Sequence, residues 1–220
     1  GTSGKVHLNR PWIDFNLGAP HRVLSWTMNK PGFTTASHII WREVRNADLS
    51  EDFDVTPWLA RELAAKGWQD HPTFLTSRDV TAYHVATATV EDITATCVST
   101  VGLSNAERIG HRLDRSGKDW GTINIAVQID CKLTDTAFLE TLSIVTQART
   151  TAIIDTGHML PTGATTGTGT DCIAIAAQQG DVPFAGLHTA IGEAVGRATY
   201  DAVHNGAQEW MDTVRRPGEV

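Results

Sequence analysis

A run of glycines and threonines that ends in a carboxylate is the stretch of this 220-residue chain best suited to chemistry. Residues 163–177 read GATTGTGTDCIAIAA, so that Thr166, Thr168 and Thr170 alternate with glycines before Asp171. Side chains alternate between the two faces of an extended backbone, so the hydroxyls share one face and the glycines let a ligand approach the other. Hydroxyls, backbone N–H groups and a carboxylate are groups with which a hydrolytic site holds an oxyanion. A structural strand with a glycine bulge is the alternative.

A histidine follows a short distance downstream, where a helix is predicted over residues 188–211. The positive end of a helix dipole disfavours imidazolium, which keeps His188 neutral and available as a general base. A capping or surface histidine is the alternative. Asp171 directly precedes an apolar strand, and because a buried carboxylate needs a partner, we expect it to pair with a cation or a histidine or to cap a turn.

Two further predicted strand ends carry polar side chains that suit amide recognition. Ser104 and Asn105 follow a long strand predicted over residues 91–103, and Thr122 and Asn124 alternate on one face of a strand predicted over residues 121–132. A buried asparagine must form hydrogen bonds, and a ligand is one partner for it. Three tryptophans close to these segments could line a pocket for a large flat ligand, namely Trp26, Trp41 and Trp120.

Composition narrows the classes of partner. The net charge is −7 with both signs interspersed, which disfavours nucleic acid because phosphate binding needs clustered Lys and Arg. No apolar run approaches the roughly 20 residues that span a bilayer, so no membrane partner is expected. The three cysteines favour reduced thiols in a cytoplasmic protein. No zinc motif is present and we expect no metal, although His188, His158 and Asp171 remain an alternative set of ligands.

The pattern of elements predicts one α+β domain. Residues 1–21 are punctuated by Pro11, Gly18 and Pro20 and are predicted to be an irregular N-terminal segment, followed by a single domain over residues 22–214. Predicted strands occur both in hairpin-like pairs and between helices, and residues 134–157 have apolar side chains at helical spacing. This combination is typical of a mixed β-sheet covered by helices.

Taken together, these segments resemble the adenosylcobinamide amidohydrolase family of corrinoid salvage. The motifs that carry the resemblance are Val101-Gly102-Leu103-Ser104-Asn105-Ala106 with Arg108 and Gly110, Gly121-Thr122-Ile123-Asn124-Ile125, Thr146-Gln147-Ala148-Arg149, residues 164–171, and Ala185-Gly186-Leu187-His188-Thr189 with Gly192. The resemblance spans roughly residues 22–206. It implies a cytoplasmic salvage enzyme that hydrolyses the amide between the aminopropanol arm and the corrin ring. A corrinoid is then the substrate and no cofactor is required; a homo-oligomer is compatible with it.

The residues and the resemblance together give a hypothesis for the site. His188 acts as general acid or base, Asp171 orients it, and Thr168 and Thr170 with the surrounding backbone hold the oxyanion. The predicted corrinoid-binding residues are Ser104, Asn105, Thr122, Asn124, Gly167, Gly169 and Trp41. The attacking group stays open between water, a threonine and Cys172, which is a poor nucleophile in an apolar strand.

Two positions depart from the pattern that the resemblance implies. Gln147 stands where we expect a glutamate, and Trp41 stands where we expect an asparagine. Both departures favour an alternative function, a corrinoid-binding protein without catalysis. A second alternative is an amidohydrolase that acts on another bulky amide.

Overall fold

The computed structural model describes residues 5–45, 53–114 and 121–215. An eight-stranded mixed sheet and three α-helices dominate this part of the chain, which confirms the predicted α+β class with a mixed sheet. The strands are β1 Lys5–Asn9, β2 Trp12–Ser25, β3 Gly32–Glu43, β4 Thr73–Thr76, β5 His84–Val90, β6 Ile93–Val101, β7 Ala106–Glu107, β8 Ile123–Leu133, β9 Met159–Leu160, β10 Gly163–Ala164, β11 Gly167–Thr168 and β12 Cys172–Gln179. The helices are α1 Val55–Lys66, α2 Asp135–Asp155 and α3 Ala190–Thr213.

The prediction of an irregular N-terminal segment is wrong from residue 5 onward. Strands β1 and β2 pair with each other there, and β2 continues into the main sheet. Alternating Ile13, Phe15 and Leu17 are fully buried, which is the pattern of a strand with one face in a core. Two of the residues expected to break the strand, Gly18 and Pro20, are accommodated at a register shift between Asn16 and His21, where Gly18 has a φ of 84°. Pro11 lies between β1 and β2.

The main sheet folds over itself and so forms two facing layers. Its strand order is β4-β3-β2-β12-β8-β6-β5, with β1 beside β2. Although β4 and β8 are far apart in this order, the Asn124 side-chain amide on β8 donates to the Leu75 carbonyl on β4 at 2.9 Å. Phe15, Trp41 and Phe74 from one half share a core with residues of β6, β8 and β12 from the other half. The two layers therefore face each other across a shared core.

Helices cover the outer faces of both layers. Leu59 and Leu63 of α1 pack on β2 and β3, while α2 and α3 pack on β6, β8 and β12. Thr134 and Thr189 cap α2 and α3 by accepting hydrogen bonds from backbone N–H groups of their first turns. None of the described helices is long and apolar enough to cross a membrane.

The parallel pair β8 and β12 positions the candidate site. Cys172 at the start of β12 is in register with Asn124 near the start of β8. The segments that precede both strands therefore meet at one edge of the sheet, and this edge is called the entry edge below. The opposite edge, where β8 and β12 end, is called the exit edge.

Candidate functional site

Asp171 is the buried anchor of the entry edge. Its carboxylate pairs with the Arg149 guanidinium of α2, and their side chains are 7% and 16% exposed. The carboxylate also accepts from the Thr168 backbone N–H at 3.1 Å, from the Thr168 hydroxyl, and from the Ile123 N–H at 3.3 Å. Burial raises the pKa of the Asp171 carboxyl, whereas Arg149 and these donors oppose that rise. Asp171 thus pairs with the cationic side chain of Arg149, which is one of the alternatives predicted from the sequence. It also fixes the Gly/Thr turn.

The backbone N–H groups of the Gly/Thr run are already engaged within the protein. The Thr168 N–H donates to Asp171, the Gly169 N–H donates to the Asn105 carbonyl at 3.1 Å, and the Thr170 N–H lies 3.5 Å from the Thr168 hydroxyl oxygen. Gly167 pairs with Glu107 in the short ladder of β11 and β7. The predicted use of this backbone as an oxyanion hole is not supported, because its donors have partners.

The side chains of Asn105 and Thr170 at the same place make only long hydrogen bonds with the described residues, and the Thr170 hydroxyl donates to the Gly121 carbonyl at 3.4 Å. The Asn105 amide nitrogen lies 3.5 Å from the Thr170 hydroxyl oxygen, and Thr170 is exposed. The Thr122 hydroxyl donates to the Thr170 carbonyl at 2.8 Å, which holds the turn against β8. Ser104 lies beside Gly121, where a Cβ would approach the Ser104 backbone nitrogen to 2.9 Å. The structure therefore brings together the three predicted segments around Asn105, Thr122 and Thr170.

A cavity of about 430 Å³ opens next to this turn, between the two layers of the sheet. Its polar side includes Thr122, Asn124 and Thr170, and its apolar walls include Trp26, Phe74 and Cys172. None of the described residues that line it carries a charge. The volume lies within the roughly 300–1,000 Å³ range of ligand sites in proteins. The cavity can therefore hold a neutral, largely apolar group.

His188 does not line this cavity. It is exposed just before α3, in a segment that follows the end of β12, and the Ala185 N–H nearby donates to Glu140 of α2 at 2.6 Å. Since β12 has eight residues, its two ends are about 23 Å apart at about 3.3 Å per residue. The predicted pairing of His188 with Asp171 is not supported: among the described residues Asp171 pairs with Arg149, and no hydrogen bond or ion pair joins it to His188.

Trp41 also lies outside the cavity lining. It is fully buried in the core between the sheet layers, with its ring 4.7 Å from that of Phe74. Its predicted direct contact with substrate is therefore not supported, and its effect on the cavity passes through Phe74. Trp26 does line the cavity, whereas Trp120 lies outside the described residues. Gln147, the other departure, is exposed on α2.

Cys172 lines the cavity as a protonated thiol. Burial raises the pKa of Cys172 to about 12, so the thiolate needed for attack is scarce at neutral pH. The alternative metal ligands do not converge either, since buried His158 binds Thr165 at 2.7 Å and Asp171 binds Arg149. Among the described residues, no group of three or more His, Cys, Asp or Glu side chains is arranged to hold a metal ion.

Sequence reasoning missed the walls that come from distant segments. Strand β4 contributes Phe74, Leu75 and Thr76 to the lining, and it lies next to β8 only because the sheet folds over itself. Arg149 belongs to one of the motifs that carry the family resemblance, and the sequence alone gives it no role. One signal in the sequence could have suggested the pair of Arg149 and Asp171. It is the combination of a cation on a helix predicted to cover the sheet and a carboxylate at the start of a strand.

The fold and the cavity define an α+β protein with a site for a neutral ligand group at one edge of its sheet. The model of the family described as adenosylcobinamide amidohydrolase matches residues 2–215. The chain belongs to this family, and it is accordingly a hydrolase that acts on a carbon–nitrogen amide bond of a corrinoid. The resemblance seen in the sequence is confirmed.

Other comparisons add little to the family match. A comparison with curated protein sequences gave no match. Among solved structures, the PH0078 protein from Pyrococcus horikoshii OT3 aligns with 13% identity and a TM-score of 0.43, covering 93% of this chain and 78% of that chain.

Proposed function

We propose that this protein hydrolyses the amide that joins the aminopropanol arm to the corrin ring of adenosylcobinamide or a related corrinoid. Hydroxide from water adds to the amide carbon, the carbon–nitrogen bond breaks, and the departing nitrogen takes a proton. The products are adenosylcobyric acid and aminopropanol or its nucleotide-loop derivative. Membership of the family supports amide hydrolysis in general, and the neutral cavity beside a polar turn supports a large uncharged substrate.

The observation that carries the proposed site is the meeting of Asn105 and Thr170 at the cavity mouth, 3.5 Å apart. We assign the Asn105 amide as a donor to the oxyanion of the tetrahedral intermediate, joined by the Thr170 hydroxyl once that hydroxyl turns away from the Gly121 carbonyl, 3.4 Å away. Asp171 acts as a positioning residue through Thr168, which replaces the role of acid–base partner that the sequence suggested. Preorganised donors of this kind stabilise developing charge because they need no reorganisation during the reaction.

Corrin amides then bind the polar rim of the cavity. Thr122 keeps its oxygen lone pairs available after donating to Thr170, and Ser104 lies on the same edge. Gly167 and Gly169 leave room for Arg149 and Asn105. His188 has no part in this proposal, because it is exposed at the exit edge.

The attacking group in this proposal is water, since Cys172 is protonated. Attack by the Thr170 hydroxyl is the alternative, and it would leave Asn105 as the side-chain donor to the oxyanion. Intact-protein mass spectrometry after a rapid acid quench separates the two. An acyl-enzyme on Thr170 adds the mass of the adenosylcobyryl group, whereas direct attack by water leaves the protein mass unchanged.

The deciding experiment is incubation with adenosylcobinamide followed by mass analysis of the corrinoid and amine products. The proposal expects adenosylcobyric acid and aminopropanol from the wild-type protein, and neither from the double variant Asn105→Ala/Thr170→Val. A corrinoid that stays bound with its amide intact would instead identify a binding protein without catalysis. If the protein neither bound nor hydrolysed adenosylcobinamide, the second alternative, an amidohydrolase that acts on another bulky amide, would be favoured.

The setting of this activity belongs to the same proposal. The net charge of −7 suits a small-molecule corrinoid rather than nucleic acid as partner. We place the enzyme in the cytoplasm, where imported corrinoids are salvaged, either as a single chain or as a homo-oligomer. Fractionation of cells and sedimentation of the purified protein test the two points separately.

A further inference from the structure

We propose that the cavity between the sheet layers receives the adenosyl group carried on one face of the corrin, while the corrin ring stays outside at the entry edge. This inference rests on the proposed function and names the part of the substrate that enters the protein. It assigns the apolar walls of the cavity to recognition and leaves the chemistry to the turn at its mouth.

Size separates the parts of the substrate. At about 430 Å³, the cavity is at the lower end of the range found for ligand sites, roughly 300–1,000 Å³. A nucleoside fits such a volume, whereas a corrin macrocycle with its amide arms exceeds it. The arm with the scissile amide must meet Asn105 and Thr170 at the mouth, so it does not fill the interior.

Charge also distinguishes which part of the substrate can enter the cavity. None of the cavity-lining residues that the structure describes carries a charge, and Cys172 is protonated. A nucleotide-loop phosphate would lose its hydration there without gaining a cation from these residues, which is costly. The adenosyl group is neutral, so it enters without this penalty.

Asn124 supplies the specific contact. It is 1% exposed and lines the cavity, and one of its two amide N–H groups donates to the Leu75 carbonyl at 2.9 Å. This bond fixes the orientation of the carboxamide. The side-chain carbonyl oxygen and the second N–H have no partner among the described residues. The carbonyl oxygen can accept a hydrogen bond from the amino group of adenine.

Aromatic side chains provide the surface on which a purine packs. The Trp26 indole lines the cavity, and its N–H donates to the Asp171 carbonyl at 2.9 Å, which holds the ring in place. Phe74 lines it from the other layer and is supported by Trp41. Bases stack on such rings irrespective of sequence, because every base has a π-face. The Thr122 oxygen can accept a ribose hydroxyl.

The test compares corrinoids that differ only in the axial group. Wild-type protein is expected to bind adenosylcobinamide about tenfold or more tightly than cyanocobinamide. Val44→Phe, which fills the cavity from a residue 5% exposed, should weaken adenosylcobinamide binding to the cyanocobinamide level and leave cyanocobinamide unchanged. Val85→Phe, at an exposed position on β5, is the matched control and should change neither.

A free nucleoside gives a second readout that needs no variant. 5′-Deoxyadenosine should compete with adenosylcobinamide for the wild-type protein, whereas 5′-deoxyinosine should compete at least about tenfold more weakly, since its ring carbonyl would face the Asn124 oxygen. Equal binding of the two corrinoids, equal weakening of both by Val44→Phe, or lack of competition by 5′-deoxyadenosine would each overturn the inference. Binding that follows the expectation without any cobyric acid would overturn the proposed function alone.

Discussion

The two halves of the predicted catalytic pair flank strand β12, Asp171 directly before it and His188 in the segment after it, and they differ in burial and in partners. At the entry edge, Asp171 is buried, paired with Arg149 and adjacent to a cavity. At the exit edge, His188 is exposed, and Phe184 and Leu187 beside it are 67% and 68% exposed. The first end is preorganised for a ligand, whereas the second end presents a loop to solvent.

This difference teaches that closeness in sequence does not bring two polar residues together across a strand. Asp171 and His188 are separated by strand β12, whose ends lie at opposite edges of the sheet, and by the connection that follows it. Asn105 and Thr170 are 65 residues apart, yet their side chains meet because the segments that carry them converge at the entry edge. The chemistry is therefore expected where strand ends converge.

The largest effect that tests this contrast is expected from Asp171→Ala. Removal of one partner from a buried ion pair leaves the other charge uncompensated, which costs about 3–5 kcal/mol. Chemical denaturation should therefore show a loss of this size relative to wild type. His188→Ala, at the exposed end, is the control and should change the free energy of unfolding by less than about 0.5 kcal/mol. Similar losses in both variants would contradict the contrast.

Activity offers the next largest difference. Asn105→Ala should lower kcat on adenosylcobinamide by about 100-fold or more, as expected for loss of an oxyanion donor. The kcat of His188→Ala should stay within about threefold of wild type, because His188 is not the general acid or base in this proposal. Loss of such a group would lower kcat by more than that. Steady-state kinetics on both variants measures this. If His188→Ala lost more than about 100-fold, the acid–base role first inferred from the sequence would be restored.

Two glycines of the turn provide a smaller and more local test. A Cβ at Gly167 would lie 2.6 Å from an Asp171 oxygen and 2.9 Å from an Arg149 nitrogen, so Gly167→Ala disturbs the ion pair. We expect a destabilisation of about 1–3 kcal/mol, typical of overpacking. At Gly169 the nearest atom is the Asn105 amide nitrogen at 3.2 Å, at the end of a side chain. Gly169→Ala should therefore cost less stability, and thermal melting compares the two.

The smallest expected effect concerns a second histidine, His71, which contrasts with exposed His188. Burial, and then the neighbouring His38 ring at 4.8 Å, lower the pKa of His71 from its ordinary value of 6.5. The unfolded chain thus binds more protons than the folded chain just below pH 6.5, and stability falls as the pH falls through this value. His71→Asn should flatten this dependence in melting curves at pH 7.5 and 5.5. An unchanged slope would show that another group carries it.

Much of the local structure could be predicted because it depends on local patterns. The strands β6 and β8 and the long helices α2 and α3 lie close to the predicted ranges, since Thr, Val and Ile runs and helical apolar spacing report on nearby residues alone. The prediction of an irregular N-terminus was wrong because a bulge absorbs Gly18 and Pro20 within β2. A breaker in sequence ends a strand only when the sheet offers no bulge for it.

The sequence by itself determined the family, the α+β class and the polar strand ends around Asn105, Thr122 and Thr170. Only the tertiary structure decided that the sheet folds over to enclose a cavity, that Asp171 pairs with Arg149, and that His188 lies at the opposite edge. The physical reason is that burial and hydrogen bonding between distant segments depend on strand order and sheet curvature. Residue types name the available chemistry, and the pairing of β4, β8 and β12 selects which residues meet.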